Sequence, residues 1–451
     1  MTRLPLFAPA RAMRPVAWHD GREISLGELA RDVATLARKL PTGSAMIDLC
    51  EDRYRFLVAY AAALSVGHAA LLPPTRAEQV VQAIEASHRG SYRCDDLTVD
   101  SALRATQATA AIELQIPAKQ IATIGFTSGS TGRPQSYPKA WGSVSGSSAC
   151  NGRAIRAALG VADDAAVWIL ATVPPQHTYG MEFSVLLPLV AGMAVHAARP
   201  LFPADIARAL GELPAPRVLV STPVHLRALV ESPQRFPQTA LIVSATAPLD
   251  RALAQAVEAK LGGPLLEIFG STETCAFASR HTAHDELWQL HSDVRLEPAA
   301  EGTLVAAPWH PQPILLLDRL ELCGPTQFRV HGRNTDMIEV AGKRASLADL
   351  TRRMLAIEGV RDAVVFQPGA DSVATIRRVA ALVVAPGLTA AQIQERLAAS
   401  IDPAFLPRPL VLVDALPRNE LGKLPREQLL AALKSGSDQP PTANRFSSGS
   451  V

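Results

Sequence analysis

Residues 121–134 read IATIGFTSGSTGRP. An apolar run ends in a loop of Thr, Ser and Gly, and Pro134 closes it. Small residues let backbone N–H groups point inward, and the hydroxyls add donors, so such a loop can wrap a polyphosphate. The spacing is not the Walker pattern G-x-x-x-x-G-K-[ST], which disfavours an ordinary P-loop NTPase or kinase. A Ser/Gly-rich stretch is most often a linker. Here it follows a strand-like run directly and holds a Pro, which weakens the linker reading.

On either side of this loop, helical and strand-like periods alternate. Upstream, 23–40, 53–66 and 76–87 have helical spacing, and 45–50 and 69–72 are short apolar strands. Downstream, strands are predicted at 166–171, 194–196, 218–221, 241–244 and 265–269. Helices are predicted between them at 182–191, 205–213, 223–231 and 249–261. Such alternation predicts an α/β fold whose large N-terminal domain holds mostly parallel sheets with flanking helices. After residue 286 the pattern turns to short strands and turns, a β-rich subdomain. Helices at 346–357 and 389–400, with strands at 363–366 and 379–385, predict a small, mobile α+β C-terminal domain. The domains are read as 1–333, 334–435 and a polar tail, 436–451, whose Ser, Pro and Gly content predicts disorder.

The chain has 451 residues, 48% apolar and 19% charged, enough to bury a large core over two or three domains. With 44 basic against 42 acidic residues the net charge is +2, which gives no reason to expect nucleic acid or an anionic membrane as partner. None of the five Cys has C-x-x-C or metal-ligand spacing, as expected in a reducing compartment. The N-terminal residues lack a signal-peptide h-region. The longest apolar stretch, 57–72, is broken by Ser65, Gly67 and His68 and is too short to span a bilayer. A soluble cytoplasmic protein is expected. Only seven Lys occur, so a Lys within a Gly-rich motif stands out.

Six segments now carry a resemblance. TSGSTGRP at 127–134 resembles the phosphate loop of the adenylate-forming superfamily of acyl- and aryl-CoA synthetases, adenylation domains and luciferases. SATAPLD (244–250) resembles its adenine-side loop, and FGSTET (269–274) its aromatic-Gly-x-Thr-Glu segment. Asp318, in LLLDRLEL, falls where the ribose-binding Asp is expected. GRNTDMIEVAGKR (332–344) resembles the hinge and following turn, and LPRNELGKLPR (416–426) the segment bearing a catalytic Lys. Each is weak alone, but their order is specific and covers about 120 to 435. The compact layout also looks similar to small synthetases of bacterial aryl polyene and xanthomonadin-type pigment pathways.

The resemblance implies ATP and Mg²⁺ as cofactors and a carboxylic acid as substrate. The acid would become an acyl-adenylate and then a thioester on coenzyme A or an acyl carrier protein. Thr127, Ser128, Gly129, Ser130, Thr131 and Gly132 would hold the β- and γ-phosphates, Thr272 the α-phosphate and Glu273 the Mg²⁺. Ala245, Thr246, Ala247, Phe269, Gly270 and Ser271 would surround the adenine side. As a competing reading, Phe269 is simply a core residue at a strand end. Asp318 and Arg333 would bind the ribose; without the resemblance, Asp318 reads as a turn residue. Lys423 would bridge carboxylate and α-phosphate, though most Lys in such loops are solvated. His177 and Tyr179 would line the acid pocket, with Glu182 lining or buttressing it, although a strand-end His is more often structural. Gly342 and Lys343 would help form a thiol tunnel, with the hinge at 333–336.

One departure is Gln135, where relatives carry Lys; Lys139 is expected to supply that charge to the ATP pocket. Gln135 is also the one support for an alternative, a catalytically weak homologue that binds nucleotide in a regulatory role. No G-x-G-x-x-G follows the first strand, so nothing suggests hydride transfer.

Overall fold

The computed structural model describes residues 2–8, 12–104, 114–128, 134–333, 337–340, 343–368, 379–419 and 422–437. The chain divides into two units. The first is Met1–Glu297 with Leu304–Leu316 and Leu322–Arg329. The second is Val330–Val451 with Pro298–Thr303 and Leu317–Glu321.

Short apolar strands build the first unit. In its five-stranded sheet, Ser91–Cys94, Ala45–Asp48, Ala69–Leu72 and Ile121–Ser128 lie side by side in parallel, and Pro134–Ala140 adds antiparallel. A second, larger sheet aligns Leu265–Ser271, Leu241–Ser244, Arg217–Ser221, Trp168–Ala171, Ala194–His196 and Pro15–His19 in parallel. Cys275–Arg280 and Trp288–Leu290 extend one side of it antiparallel. Strands covered on both faces read as unbroken apolar runs rather than alternating ones. Ala69–Leu72 and Trp168–Ala171 are buried at every position.

The helices between strands start where the side chains supply caps. Ser25 and Glu28 form a capping box at Leu26–Ala37, and the Asp52 side chain accepts the Arg55 N–H at the start of Arg53–Ser65. Arg53–Ser65 is apolar all round, as befits a helix enclosed by protein. Its first residue is a fully buried arginine. The Arg53 guanidinium donates to Ser184 Oγ (3.0 Å), Ala171 O (3.3 Å), Ala198 O (3.3 Å) and Val173 O (2.6 Å). Burial lowers its pKa to about 9. These bonds tie a helix start to the end of a central strand and to the loop that carries His177.

The helix read at 182–191 differs from expectation. It begins at Thr178, and Glu182–Leu186 is a π-helical turn between Thr178–Met181 and Leu187–Val190. The extra residue per turn shifts the buried face, a device frequent at functional sites. A further helix, Trp141–Leu159, has a buried face made largely of small and polar residues. A Cβ on Gly152 would lie 2.5 Å from that of Ala191, so this helix packs close to its neighbour.

The second unit wraps two cores around the sheet Asp362–Phe366, Ala380–Val384 and Leu410–Leu412. Val365, Ala381 and Val383 face Leu350, Met354, Ile393 and Leu397 from Leu347–Leu355 and Ala390–Ala398. Phe366, Leu382 and Val411 face Leu429 and Leu433 from Arg426–Ser437. Among the described residues, no helix is long and apolar enough to cross a membrane.

His291 gives the first unit an acid-sensitive point. It is buried, and neither ring nitrogen has a hydrogen-bond partner among the described residues. Burial, with help from Arg153, lowers its pKa to about 4. The unfolded chain therefore binds the proton first, and stability present above pH ~6.5 is lost as pH falls towards the folded-state value, by about 3 kcal/mol. His291→Leu is expected to flatten this part of the acid limb in pH-dependent chemical unfolding. An unchanged limb would contradict the buried neutral imidazole.

Candidate active site

Loops that leave the carboxyl ends of parallel strands share one edge of the sheet, where ligands of open α/β folds bind. Ala245, Thr246 and Ala247 follow Leu241–Ser244, and its parallel neighbour Leu265–Ser271 ends in the turn bearing Thr272 and Glu273. The segment with His177 follows Trp168–Ala171 of the same sheet. Thr246 has φ +82°, a left-handed conformation uncommon for a β-branched residue.

The turn after Phe269 is fixed by its own side chains. Ser271 Oγ accepts the N–H groups of Glu273 (3.2 Å) and Thr274 (3.1 Å), and Thr274 Oγ1 accepts the Ser271 N–H (3.1 Å). The strand pairing shifts register between Phe269 and Gly270, and Cys275 has φ +59°. A Cβ on Gly270 would sit 2.3 Å from Cys275 O, so only glycine fits. Phe269 is half-buried, with ring centroids 5.1 Å from Trp288, 5.5 Å from Phe277 and 5.7 Å from Phe328. It thus belongs to an aromatic cluster without being fully enclosed.

Thr272 meets the strand that feeds the Ser/Gly loop: a Cβ on Gly125 would lie 3.8 Å from Thr272 Cγ2. That strand pairs Thr127 with Gln135 and Ser128 with Pro134. Gly129, Ser130, Thr131 and Gly132 lie outside the described residues, as do the side chains of Thr127, Ser128 and Gln135.

Beneath the turn lies a cleft of about 20 Å³, room for one or two waters. Thr123, Gly125, Tyr137 and Lys139 line it from the hairpin, Thr178, Met181 and Glu182 from the helical segment, and Thr272 and Cys275 from the turn. Lys139, expected to serve ATP, points into this cleft, where its ammonium donates to Cys275 Sγ at 2.7 Å. Burial pushes the Cys275 thiol up to about 11, against the pull of Lys139, so it stays protonated at neutral pH. Tyr179 is buried and its hydroxyl donates to Val243 O (3.0 Å), which commits it to the sheet; Thr178 and Met181, its sequence neighbours, line the cleft instead. His177 is half-buried and its backbone N–H donates to Pro174 O (3.3 Å).

The remaining expected residues belong to the second unit. Asp318 is half-buried, and Thr303 Oγ1 bonds both Asp318 O (3.0 Å) and Leu320 N (3.2 Å), holding that strand. Lys423 is exposed, on a tightly closed loop. Its N–H donates to Asn419 Oδ1 and its carbonyl accepts from Asn419 N, both at 2.9 Å, while Gly422 takes φ +73°. Arg418 donates to Gly422 O (2.6 Å) and forks onto Asp362 (2.9 and 2.8 Å), anchoring the loop to the sheet. Sequence reasoning missed Arg418 and Asn419; the signal was their place within the same LPRNELGK motif. Arg333 ends the strand Gln327–Arg333 and Lys343 starts Lys343–Ser346, but their side chains, and Gly342, lie outside the described residues. No group of three or more His, Cys, Asp or Glu among the described residues is arranged to hold a metal ion.

The family of AMP-binding enzymes matches residues 56–305, which span the hairpin, the cleft and the Thr272–Glu273 turn. The chain belongs to this AMP-binding, adenylate-forming family. A 4-coumarate–CoA ligase of Halorhodospira halophila is 32% identical over 314 residues, covering 66% of this chain and 73% of the relative. A 4-coumarate–CoA ligase of Rhodobacter capsulatus is 29% identical over 301 residues, with the same coverage of 66% and 73%. Among solved structures, the o-succinylbenzoate CoA synthetase of Bacillus subtilis with ATP and magnesium ion is similar at TM-score 0.79 and 18% identity, over 95% of this chain and 100% of that one. An anthranilate CoA ligase with anthranoyl-AMP is similar at TM-score 0.78 and 16% identity, over 96% and 99%. At these identities the structural likeness shows the α/β fold of the family.

Gly270→Ala is expected to destabilise the first unit by about 2 kcal/mol through overpacking of the turn, read as a lower urea midpoint. An unchanged midpoint would contradict the close approach of Gly270 to Cys275.

Proposed function

We propose that this enzyme joins a carboxylic acid, most readily an aromatic one, to a thiol through an acyl-adenylate. A carboxylate oxygen attacks the α-phosphorus of ATP, the α–β bond breaks and pyrophosphate leaves. A thiol of coenzyme A, or of a carrier protein's pantetheine arm, then attacks the acyl carbon and AMP leaves. The observation that carries this reading is the Thr272–Glu273 turn set beside Gly125, on the strand that runs into TSGSTGRP. The relatives named above as acting on 4-coumarate, o-succinylbenzoate and anthranilate support an aromatic acid.

The chemical difficulty is anion attacking anion. A site solves it with preorganised donors and cations aimed at the charge that develops. Thr272 serves the α-phosphate, and the donors of the loop from Thr127 to Gly132 serve the β- and γ-phosphates. Mg²⁺ is a hard cation that binds through one or two carboxylates and substrate phosphates, so the single carboxylate of Glu273 fits it. When bound, the ion neutralises phosphate charge. Phe269 and the Ala245–Ala247 loop take the adenine side, and Asp318 with Arg333 the ribose. Lys423 bridges carboxylate and α-phosphate. His177 borders the acid. Gly342 and Lys343 flank the thiol path; of the hinge expected at 333–336, residues 334–336 lie outside the described residues. The reaction belongs to the cytoplasm, where ATP and reduced thiols meet.

Pyrophosphate release from ATP and Mg²⁺ is expected to depend on an added acid, in a screen of benzoates, hydroxybenzoates, cinnamates and short fatty acids. Silence across the panel with ATP binding intact would favour a nucleotide-binding homologue, the reading that Gln135 supports. Lys423→Ala is expected to slow adenylation by on the order of 100-fold or more while sparing thioester formation from supplied acyl-adenylate. Equal loss of both half-reactions would remove Lys423 from that role. Asp318→Ala should weaken ATP binding about tenfold, the worth of one charge-assisted hydrogen bond; unchanged affinity would take Asp318 out of the ribose site.

A further inference from the structure

Glu182 is 3% exposed and opens the π-helical turn, all five residues of which are buried. A buried carboxylate is costly unless hydrogen bonds compensate it. Here one oxygen, Oε2, accepts three: from Ser147 Oγ (3.2 Å), Asn151 Nδ2 (3.1 Å) and the backbone N–H of Ala276 (3.0 Å). Ser147 and Asn151 are four residues apart on Trp141–Leu159, hence on one face of that helix. Two of the three donors therefore anchor the carboxylate to a rigid element, and the third belongs to the strand Cys275–Arg280 that leaves the Thr272–Glu273 turn.

Ala276 is no ordinary strand residue. It faces Gly270 across the register shift and follows Cys275, whose φ is +59°. Where the regular ladder breaks, its N–H goes to Glu182. The thiol of Cys275 sits between Glu182, which raises its pKa, and the Lys139 ammonium. The base of the turn is thus held from below by a carboxylate and from the side by a cation, while Ser271 and Thr274 close its top.

We infer that Glu182 is a positioning residue for adenylation: by holding the Ala276 amide it fixes the turn that presents Thr272 to the α-phosphate and Glu273 to the metal. This rests on the roles given to Thr272 and Glu273 in the preceding subsection. Misplacement of reacting groups by about 1 Å costs on the order of 100-fold in rate, so a small retreat of this carboxylate is a sensitive probe.

Glu182→Asp keeps the charge but withdraws the carboxylate by one methylene. Glu182→Gln keeps the length, and its carbonyl oxygen can still accept the Ala276 N–H. Both preserve polarity at the site, so both are better probes than Glu182→Ala, which takes the acceptor from Asn151 Nδ2 and the Ala276 N–H, while Ser147 Oγ keeps Ala276 O within 3.4 Å. For Glu182→Asp the kcat of adenylation is expected to fall about 10- to 100-fold, with a raised Mg²⁺ requirement. Thioester formation from supplied acyl-adenylate stays within about twofold, and amide hydrogen exchange across residues 270–280 speeds up. Glu182→Gln is expected to recover most of the lost kcat. Parallel loss of both half-reactions together with a lowered melting temperature would overturn the proposal in favour of a purely structural carboxylate. So would wild-type kcat in Glu182→Asp. If the wild-type enzyme forms no adenylate with any acid, the reaction reading fails, and the exchange measurement still decides the clamp: unchanged exchange at 270–280 in Glu182→Asp overturns it.

Discussion

Parallel strands all point one way, and that constraint governs this molecule. Trp168–Ala171, Arg217–Ser221, Leu241–Ser244 and Leu265–Ser271 are hydrogen-bonded in parallel, so the segments that follow them emerge at a common edge. Residues distant in sequence, His177, Thr246 and Thr272, thereby come to one side without any of them choosing its place. The sheet supplies rigidity, and the loops carry the chemistry. The smaller sheet contributes Leu72 and a hairpin whose strand into the Ser/Gly loop passes Thr272 at Gly125.

The polar groups buried around this edge do the positioning. Arg53 binds Ala171 O and Val173 O, and so fixes the exit from a central strand. Tyr179 ties the helical segment to Val243 of the neighbouring strand. Glu182 joins Trp141–Leu159 to the start of Cys275–Arg280, the strand that leaves the Thr272–Glu273 turn. Each is a costly group to bury, and each meets its donors or acceptors on two or more elements at once. An apolar side chain would fill the same volume but could not hold a backbone amide or carbonyl in place.

Much of this was legible in the sequence, for stated reasons. Continuous apolar runs marked the parallel strands, because strands covered on both faces have no polar side to show. The helices Leu26–Ala37, Arg53–Ser65 and Ala390–Ala398 were legible as 23–40, 53–66 and 389–400 from their apolar spacing, while their exact starts are set by the caps Ser25, Asp52 and Thr389, which that spacing does not show. Trp141–Leu159 escaped notice because its buried face is Ser145, Ser147, Ser148, Asn151 and Gly152, which carries little apolar periodicity. The π-helical turn escaped because one inserted residue breaks the 3.6 period. The charge of Lys139 is legible, but its contact is not: strand alternation sets it beside Tyr137 on the cleft side, next to Cys275. The bond from the Tyr179 hydroxyl to Val243 O joins residues 64 apart in the chain, and no local pattern signals it.

In the proposed reaction the substrate carboxylate attacks the α-phosphorus of ATP. The most direct test follows the oxygen. An acid that supports turnover, labelled with heavy oxygen in its carboxyl group, is incubated with ATP, Mg²⁺ and a thiol acceptor, and the phosphate-containing products are analysed by mass spectrometry. One labelled oxygen in AMP, with none in pyrophosphate or orthophosphate, is the predicted result, since the bridging oxygen of an acyl-adenylate stays with AMP when the thiol takes the acyl group. Label in orthophosphate, with ADP as the nucleotide product, would instead mean attack at the γ-phosphorus through an acyl phosphate and would rule out an acyl-adenylate.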